Sequence, residues 1–265
     1  MVMTMHDALE PSLTADETRS LFRNCRSYWH AYGYAQRVDD GMMLYSVGVQ
    51  HPQLNGVMWV EGGDLPLKVR DARTRLARVP WLWWVGPDSD PATLAFLQTQ
   101  GGNLVGAVPV MAVRTDAVQG LPGPEELEIA HLEPAEDLTE WVKAYAPAMG
   151  VASSDIPAMT AAEHARTDQP GTLVRFAGRI DGRIVGVSEL LLAHGVAGIY
   201  LVATAEGYRR RGIGAALTSA AATLGRERGA SIATLQASPI GQHLYRRMGF
   251  AKVAEYQIVK MPPVA

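Results

Sequence analysis

The residues best placed to do chemistry lie between Gly198 and Gly214, in the run GIYLVATAEGYRRRGIG. A strand-like apolar pattern ends near Ala203, and a helical pattern opens at Gly212. Arg209, Arg210 and Arg211 therefore stand at a helix N-terminus, where the backbone already carries a partial positive charge of about half a unit. Three cations there are an electrostatic misfit unless an anion sits among them. Free N–H groups of a first helical turn are ready phosphate ligands. Gly212 and Gly214, without Cβ atoms, let the backbone approach such a ligand closely. The charge distribution agrees. Residues 201–265 carry 9 basic and 3 acidic side chains, whereas residues 121–200 carry 5 and 12.

Two common phosphate loops do not fit. A Walker loop needs Gly-Lys-Ser/Thr, which is absent, and a dinucleotide fingerprint needs a third glycine where Leu217 stands. What remains is Arg209-x-x-Gly212-x-Gly214 between a strand and a helix. A second segment, SPIGQHLYRRMGF, runs from Ser238 to Phe250. The two motifs at this separation resemble those of the GNAT superfamily of acyl-CoA-dependent N-acetyltransferases, over about the last 140 residues. The resemblance implies an α+β fold of three αβα layers around a mixed, mostly antiparallel sheet, with a slot for pantetheine between two splayed strands. It further implies acetyl-CoA as cosubstrate, held by Val202, Ala203 and Thr204 along the strand. The pyrophosphate would meet Arg209, Arg210, Arg211, Gly212, Ile213, Gly214 and Ala215, and Ser238 would meet the pantetheine arm. Glu206 replaces a frequent proline and Ser238 a frequent asparagine, which weakens a pantetheine contact at 238.

Acyl transfer expels a thiolate, and Tyr245, in the Leu-Tyr position of the second motif, is the candidate acid that returns a proton to it. A backbone N–H near Val202 or Ala203 would meet the oxyanion. Glu189 is the one carboxylate in the apolar run 184–205 and the candidate base, since a buried lone acid has a raised pKa. Alternation also allows it a solvated face. His194 and His243 read as surface residues and Cys25 as core. No cluster has metal-ligand spacing, so no metal is expected.

These residues need elements to hold them. Thr14 and Glu17 have capping-box spacing before a helical face of Leu21, Phe22, Cys25, Tyr28, Trp29 and Tyr32, stopped by Gly33. Strands are predicted at 42–48, 57–60, 81–85 and 104–113, with helices at 65–78 and after Asp90-Pro91. The turn-rich Gln119–Pro124 segment is the expected boundary between domains 1–120 and 121–265. Beyond it come a strand at 127–131, a helix opened by residues 133–137 with Leu138, Trp141, Val142 and Tyr145 on one face, and a weaker helix at 156–166. Strands at 172–180 and 183–193 join through Asp181-Gly182. A strand at 197–203, a helix at 212–228, a strand at 232–237, a helix at 239–248 and a last strand at 250–260 follow. The first half, read as helix, two strands, helix, strand, helix, strand, resembles a degenerate second GNAT-like unit without a phosphate loop of its own. An unrelated α/β domain covering the acceptor site is the alternative. Five of the six tryptophans fall within residues 29–84, a concentration that reads as core.

Composition narrows the function classes. With 48% hydrophobic and 19% charged residues in 265, the chain buries a substantial core. A net charge of −3 gives no reason to expect nucleic acid. One cysteine excludes a disulfide framework and suits a reducing cytoplasm. The run 184–205 is broken by Gly186, Gly195 and Gly198 and reads as two buried strands rather than a membrane span, so no membrane partner is expected, and a homodimer remains open. The function expected is acetyl transfer to a primary amine of a small molecule or protein. A non-catalytic acyl-CoA-binding module, or a tandem enzyme acylating one specialised metabolite, are the alternatives.

Overall fold

The capping box folds as its spacing dictates. The Glu17 N–H donates to Thr14 Oγ1 at 3.2 Å, the Thr14 N–H donates to Glu17 Oε2 at 2.8 Å, and α1 (Ala15–Tyr32) opens there. The computed structural model describes residues 13–132 and 137–262. After α1 come β1 (Gln36–Asp39), β2 (Met42–Ser46), β3 (Asn55–Val60), α2 (Leu65–Arg75), β4 (Leu82–Val85), α3 (Thr93–Thr99) and β5 (Asn103–Arg114). The second half contains β6 (Glu128–His131), α4 (Leu138–Tyr145), α5 (Ile156–His164), β7 (Leu173–Ile180), β8 (Arg183–Ala193) and β9 (Val196–Thr204). It ends with α6 (Ile213–Glu227), β10 (Ile232–Gln236), α7 (Gly241–Arg247) and β11 (Ala251–Lys260). Except for Asp137, the predicted helix start at 133–137 lies outside the described residues.

From β1 to β5 and from β7 to β11 the order is the same: three strands, helix, strand, helix, strand. The first half thus repeats the element order of the second, with one strand more than its sequence pattern suggested. That strand, β1, has three half-buried residues and one exposed, and so offers no apolar alternation.

The eleven strands among the described residues join one sheet, in the order β1-β2-β3-β4-β11-β5-β10-β9-β8-β7-β6. Only β3 with β4 and β9 with β10 pair in parallel; the other neighbours are antiparallel. The two halves are interleaved. β5, the last strand of the first half, pairs with β10 and β11, and β11 lies between β4 and β5.

Helix α6 covers one face of β8 and β9, and α1 and α4 cover the other. β8 is therefore buried continuously from Val185 to Leu191, which is why the run lacks a polar alternation. The turn after it is His194-Gly195, both at positive φ. On α4 the predicted face is buried: Leu138, Trp141, Val142 and Tyr145 all pack inward, and Trp141 Nε1 donates to the Phe176 carbonyl at 2.9 Å. Full burial of side chains of this size contributes roughly 1.5–3 kcal/mol each. Among the described residues no helix is long and apolar enough to cross a membrane.

Candidate active site

The site begins where the sheet comes apart. β9 and β10 pair at only three positions, Val196 with Ile232, Ala197 with Ala233 and Gly198 with Thr234. Beyond Gly198 the two strands diverge, and a cleft of about 770 Å³ opens between them. Val202 and Ala203 on β9, Ser238 after β10, and Tyr245 on α7 all line this cleft. On the other side of β9 its ladder to β8 is also broken: Val187 faces Ala203 and Glu189 faces Tyr200, so Leu201 and Val202 together oppose Ser188 alone. Leu201 takes φ +48°, a left-handed conformation costly for its side chain. Such a bulge takes backbone groups out of the regular ladder at the edge of the cleft.

The arginine loop follows directly. Arg210 has φ +62° and Gly212 φ +85°, so successive N–H groups curl toward one another at the start of α6, the geometry of an anion nest. A Cβ on Gly212 would lie 2.6 Å from the Pro122 carbonyl oxygen. The turn-rich connection between the halves thus buttresses the loop from beneath. Two of the arginines also have protein partners. Arg211 pairs with Glu126, and Arg209 Nε donates to the Thr204 carbonyl at 3.3 Å. Ile213 and Ala215 point into the core, leaving only backbone for a ligand, and a Cβ on Gly214 would meet nothing closer than 3.7 Å. Arg209 and Thr204 face a second, open groove of about 940 Å³ with mixed charge, beside α4 and the β7–β8 turn.

Tyr245 is 8% exposed, and burial pushes its hydroxyl up to about 12, against a hydrogen bond with Thr218. It is fully protonated at neutral pH. Ser238 Oγ accepts from the Gly241 N–H at 3.1 Å and so caps the turn into α7.

Glu189 lies on β8, fully buried and behind the cleft wall rather than in it. Its Oε1 accepts from Arg175 Nε at 3.0 Å and its Oε2 from the Tyr28 hydroxyl at 2.7 Å, with Arg166 3.9 Å away. Burial, with Glu163 alongside, pushes its carboxyl up to about 7, against the pull of Arg166, Arg175 and Tyr28. Arg175 also binds Glu163 at 2.6 Å, and Tyr145 donates to Glu163 at 3.2 Å. This network joins α1, α4, α5, β7 and β8. Glu189 reaches the cleft only through Tyr28, whose ring forms part of the cleft wall.

The residues that the sequence pattern did not single out come mostly from the first half. Tyr28 and Trp29 of α1 and Trp84 of β4 line the same cleft as Tyr200 of β9. The apolar face of the first helix held Tyr28 and Trp29, and the tryptophan concentration in residues 29–84 held Trp29 and Trp84, but both signals read equally as core. Trp29 and Trp84 are both core and wall, at 8% and 5% exposure.

A parallel pair that splays over a bulged strand, followed by a glycine-cornered anion loop at a helix start, defines an acyl-CoA N-acyltransferase fold. Residues 135–250 match the sequence profile of the acetyltransferase (GNAT) family, and this segment is a GNAT domain. No curated protein sequence matches the chain. Among solved structures, the chain is similar to a GCN5-related N-acetyltransferase from Kribbella flavida, at 20% identity and TM-score 0.66 over 90% of this chain and 95% of that one. It is also similar to a GCN5-related N-acetyltransferase from Sphaerobacter thermophilus, at 19% identity and TM-score 0.62 over 84% and 78%. A tandem GNAT protein from the clavulanic acid biosynthesis pathway overlays 95% of this chain and 98% of its own, at 11% identity and TM-score 0.59. That overlay agrees with the repeated strand and helix order. The family match thus falls on the half that carries the splayed strands and the arginine loop.

Proposed function

We propose that the chain transfers acetyl from acetyl-CoA to a primary amine by direct attack within a ternary complex, and that both halves form one catalytic unit. The observation that carries this reading is the convergence of the splayed strands, the bulge at Leu201–Val202 and Tyr245 on a single cleft. The Arg210–Gly214 backbone holds the pyrophosphate, and Val202 to Thr204 pair with pantetheine as an added strand would.

The amine nitrogen attacks the thioester carbonyl carbon, and the C=O electron pair moves to oxygen. A backbone N–H at Val202 or Ala203 stabilises that oxyanion without reorganising. As the tetrahedral centre collapses the C–S bond breaks, and Tyr245 gives its proton to the departing sulfur. The proton lost by the amine passes to Glu189 by way of the Tyr28 hydroxyl. Under this assignment kcat/KM has an ionisation near pH 7 that Glu189→Gln lacks.

The test is calorimetry with acetyl-CoA at low ionic strength, then thiol release with a panel of primary amines. Binding with amine-dependent thiol release is the expected result. Binding without turnover on any amine makes the chain an acyl-CoA-binding module instead, and no binding removes the assignment altogether.

A further inference from the structure

Strand β5 outruns the strand beside it. Its ladder to β10 covers Val110 to Arg114, and the last bond on that side runs from the Ala237 N–H to the Pro109 carbonyl at 3.0 Å. Residues 103–108 continue past it, paired on one side only, with β11. Ala107 lies two residues before Pro109 in unbroken register, so its N–H and C=O turn to the same side as Pro109. No strand meets them there among the described residues. The stretch is exposed from Asn103 to Ala107, with Leu104 at 49% and Val105 at 54%.

A bare apolar edge is a template for another chain, and proteins commonly blunt such edges with charge. The outermost strands of this sheet are protected in that way, β1 by Arg37 and Asp39 and β6 by Glu128. Residues 103–108 carry no charge at all. They also open into the site, since Val105, Ala107 and Val108 line the same cleft as Leu201 and Val202. No aspartate or glutamate lines that cleft, and Lys260 is its one lysine or arginine.

Building on the acetyltransferase reading, we propose that the acceptor is an extended, uncharged polypeptide segment that adds to β5 along residues 103–108 and presents a primary amine to the thioester. The free stretch offers about 20 Å of edge, and strand addition needs only backbone from the peptide. Pantetheine lies along β9 and the peptide along β5, on facing walls of one cleft. A single extended segment enters a cleft of about 770 Å³, whereas a second folded copy must bring a whole sheet margin into it. The peptide nitrogen bonds to the acetyl carbon as the C–S bond breaks. The nitrogen loses one proton and the sulfur gains one, so no further reactant is needed.

The experiment uses the peptide Ala-Ser-Val-Ser-Val-Ser-amide, by calorimetry on CoA-loaded protein and by thiol release with acetyl-CoA. Two twins carry N-methyl groups on one or the other alternating set of backbone amides, and a blocked version with one central lysine reads a side-chain amine instead. Expected is a kcat/KM for the α-amine or lysine peptide about a hundred-fold above 2-phenylethylamine, and about ten-fold above a version with arginine for serine. One N-methyl twin should lose at least ten-fold and the other little, because alternate amides of a strand face one edge. Ala107→Pro should lower peptide kcat/KM about ten-fold more than that of 2-phenylethylamine, with acetyl-CoA binding as the check on folding. Peptide binding that the same twin loses, without thiol release, would uphold this inference while overturning acetyl transfer. Equal behaviour of the two twins, absence of peptide binding, or preference for the arginine version would overturn it. So would a dimer in sedimentation that Ala107→Pro dissociates, which gives the edge to a second copy.

Discussion

Tyr28 lies flat against Tyr200, with ring centroids 3.7 Å apart and planes 8° from parallel. The two rings belong to different halves, one on the first helix and the other on the strand that forms the pantetheine slot. Each hydroxyl then ties its ring to the opposite half. Tyr28 donates to Glu189 of β8, and Tyr200 donates to Asn24 of α1 at 2.7 Å. Together with the interleaving of β5 and β11, this makes α1 part of the cleft wall rather than a neighbour of it.

Asn24 is the most exacting contact of that joint. It is fully buried, and its Nδ2 lies 3.0–3.1 Å from the carbonyls of Leu191, Ala193 and Val196 around the β8–β9 turn. Asn24→Ala removes these bonds and strands the Tyr200 hydroxyl as well. The expected loss is roughly 3 kcal/mol, the scale of several buried polar groups left unpaired. Urea denaturation measures it, and a change under 1 kcal/mol would mean that the turn carbonyls find other donors.

Gly212 is the position where the anion loop tolerates least. A side chain must accept φ +85° and displace the Pro122 carbonyl 2.6 Å away, so even Gly212→Ala should weaken acetyl-CoA binding by ten-fold or more. Gly212→Glu adds a like charge against phosphate and should abolish binding. Wild-type affinity falls as salt rises, since exposed charged contacts are screened over about 10 Å at 0.1 M. Calorimetry across a salt series reads both effects. Folded Gly212→Glu protein with unchanged affinity would refute the loop assignment.

The first half should hold no CoA of its own. Gly62-Gly63 is followed by Asp64, which caps α2 by accepting from the Leu67 N–H at 3.0 Å and would repel phosphate there. Gly101-Gly102 follows α3 instead of preceding a helix. Calorimetry should therefore give one acetyl-CoA per chain. A stoichiometry of two would show that β3 and β4 form a second slot.

Much of this fold is legible locally. Asp181-Gly182 reads as a tight hairpin turn and takes φ +50° and +74°, and the Thr14–Glu17 box sets the start of α1 to the residue. Partners are less legible than elements. Residues 104–113 read as a strand, yet nothing in their pattern says that β5 lies between β10 and β11, because apolar alternation fixes a face and not a neighbour. Nor does leucine announce a left-handed backbone at Leu201, which the surrounding ladder imposes. Glu189 shows the same limit. Its strand is covered on both faces, so alternation could not tell a solvated carboxylate from one held by Arg175 and Tyr28.

The pH dependence of stability tests the state of Glu189. Its carboxyl is raised to about 7 by burial and by Glu163, so the folded protein holds a proton that the unfolded chain releases near 4.5. Between those values the folded state binds more protons, and this residue's contribution to stability falls as pH rises, then levels off above about 7. Glu189→Gln cannot ionise. Urea melts at pH 5, 6, 7 and 8 should show the difference between variant and wild type moving in favour of the variant up to about pH 7 and staying constant beyond it. Movement in the opposite direction would mean that Glu189 is ionised throughout and that Arg175 outweighs its burial.

Tyr245 gives the sharpest test of the chemistry. Its ring packs edge-on to Phe250, centroids 5.9 Å apart, and its hydroxyl is protonated across the working range because burial raises it to about 12. Tyr245→Phe keeps the ring and removes only the oxygen. If the hydroxyl delivers a proton to the leaving sulfur, kcat should fall roughly a hundred-fold, the usual scale for one general acid. Acetyl-CoA affinity should scarcely change, because the contact with sulfur strengthens only as charge develops there. An acyl donor whose leaving group is a weaker base should lose less. A tyrosine that serves only to pack α7 predicts otherwise: turnover stays near normal, or declines with the melting temperature. Steady-state kinetics with two donors, alongside a thermal melt, separates these outcomes. Near-normal turnover by the folded variant would leave protonation of the thiolate to solvent.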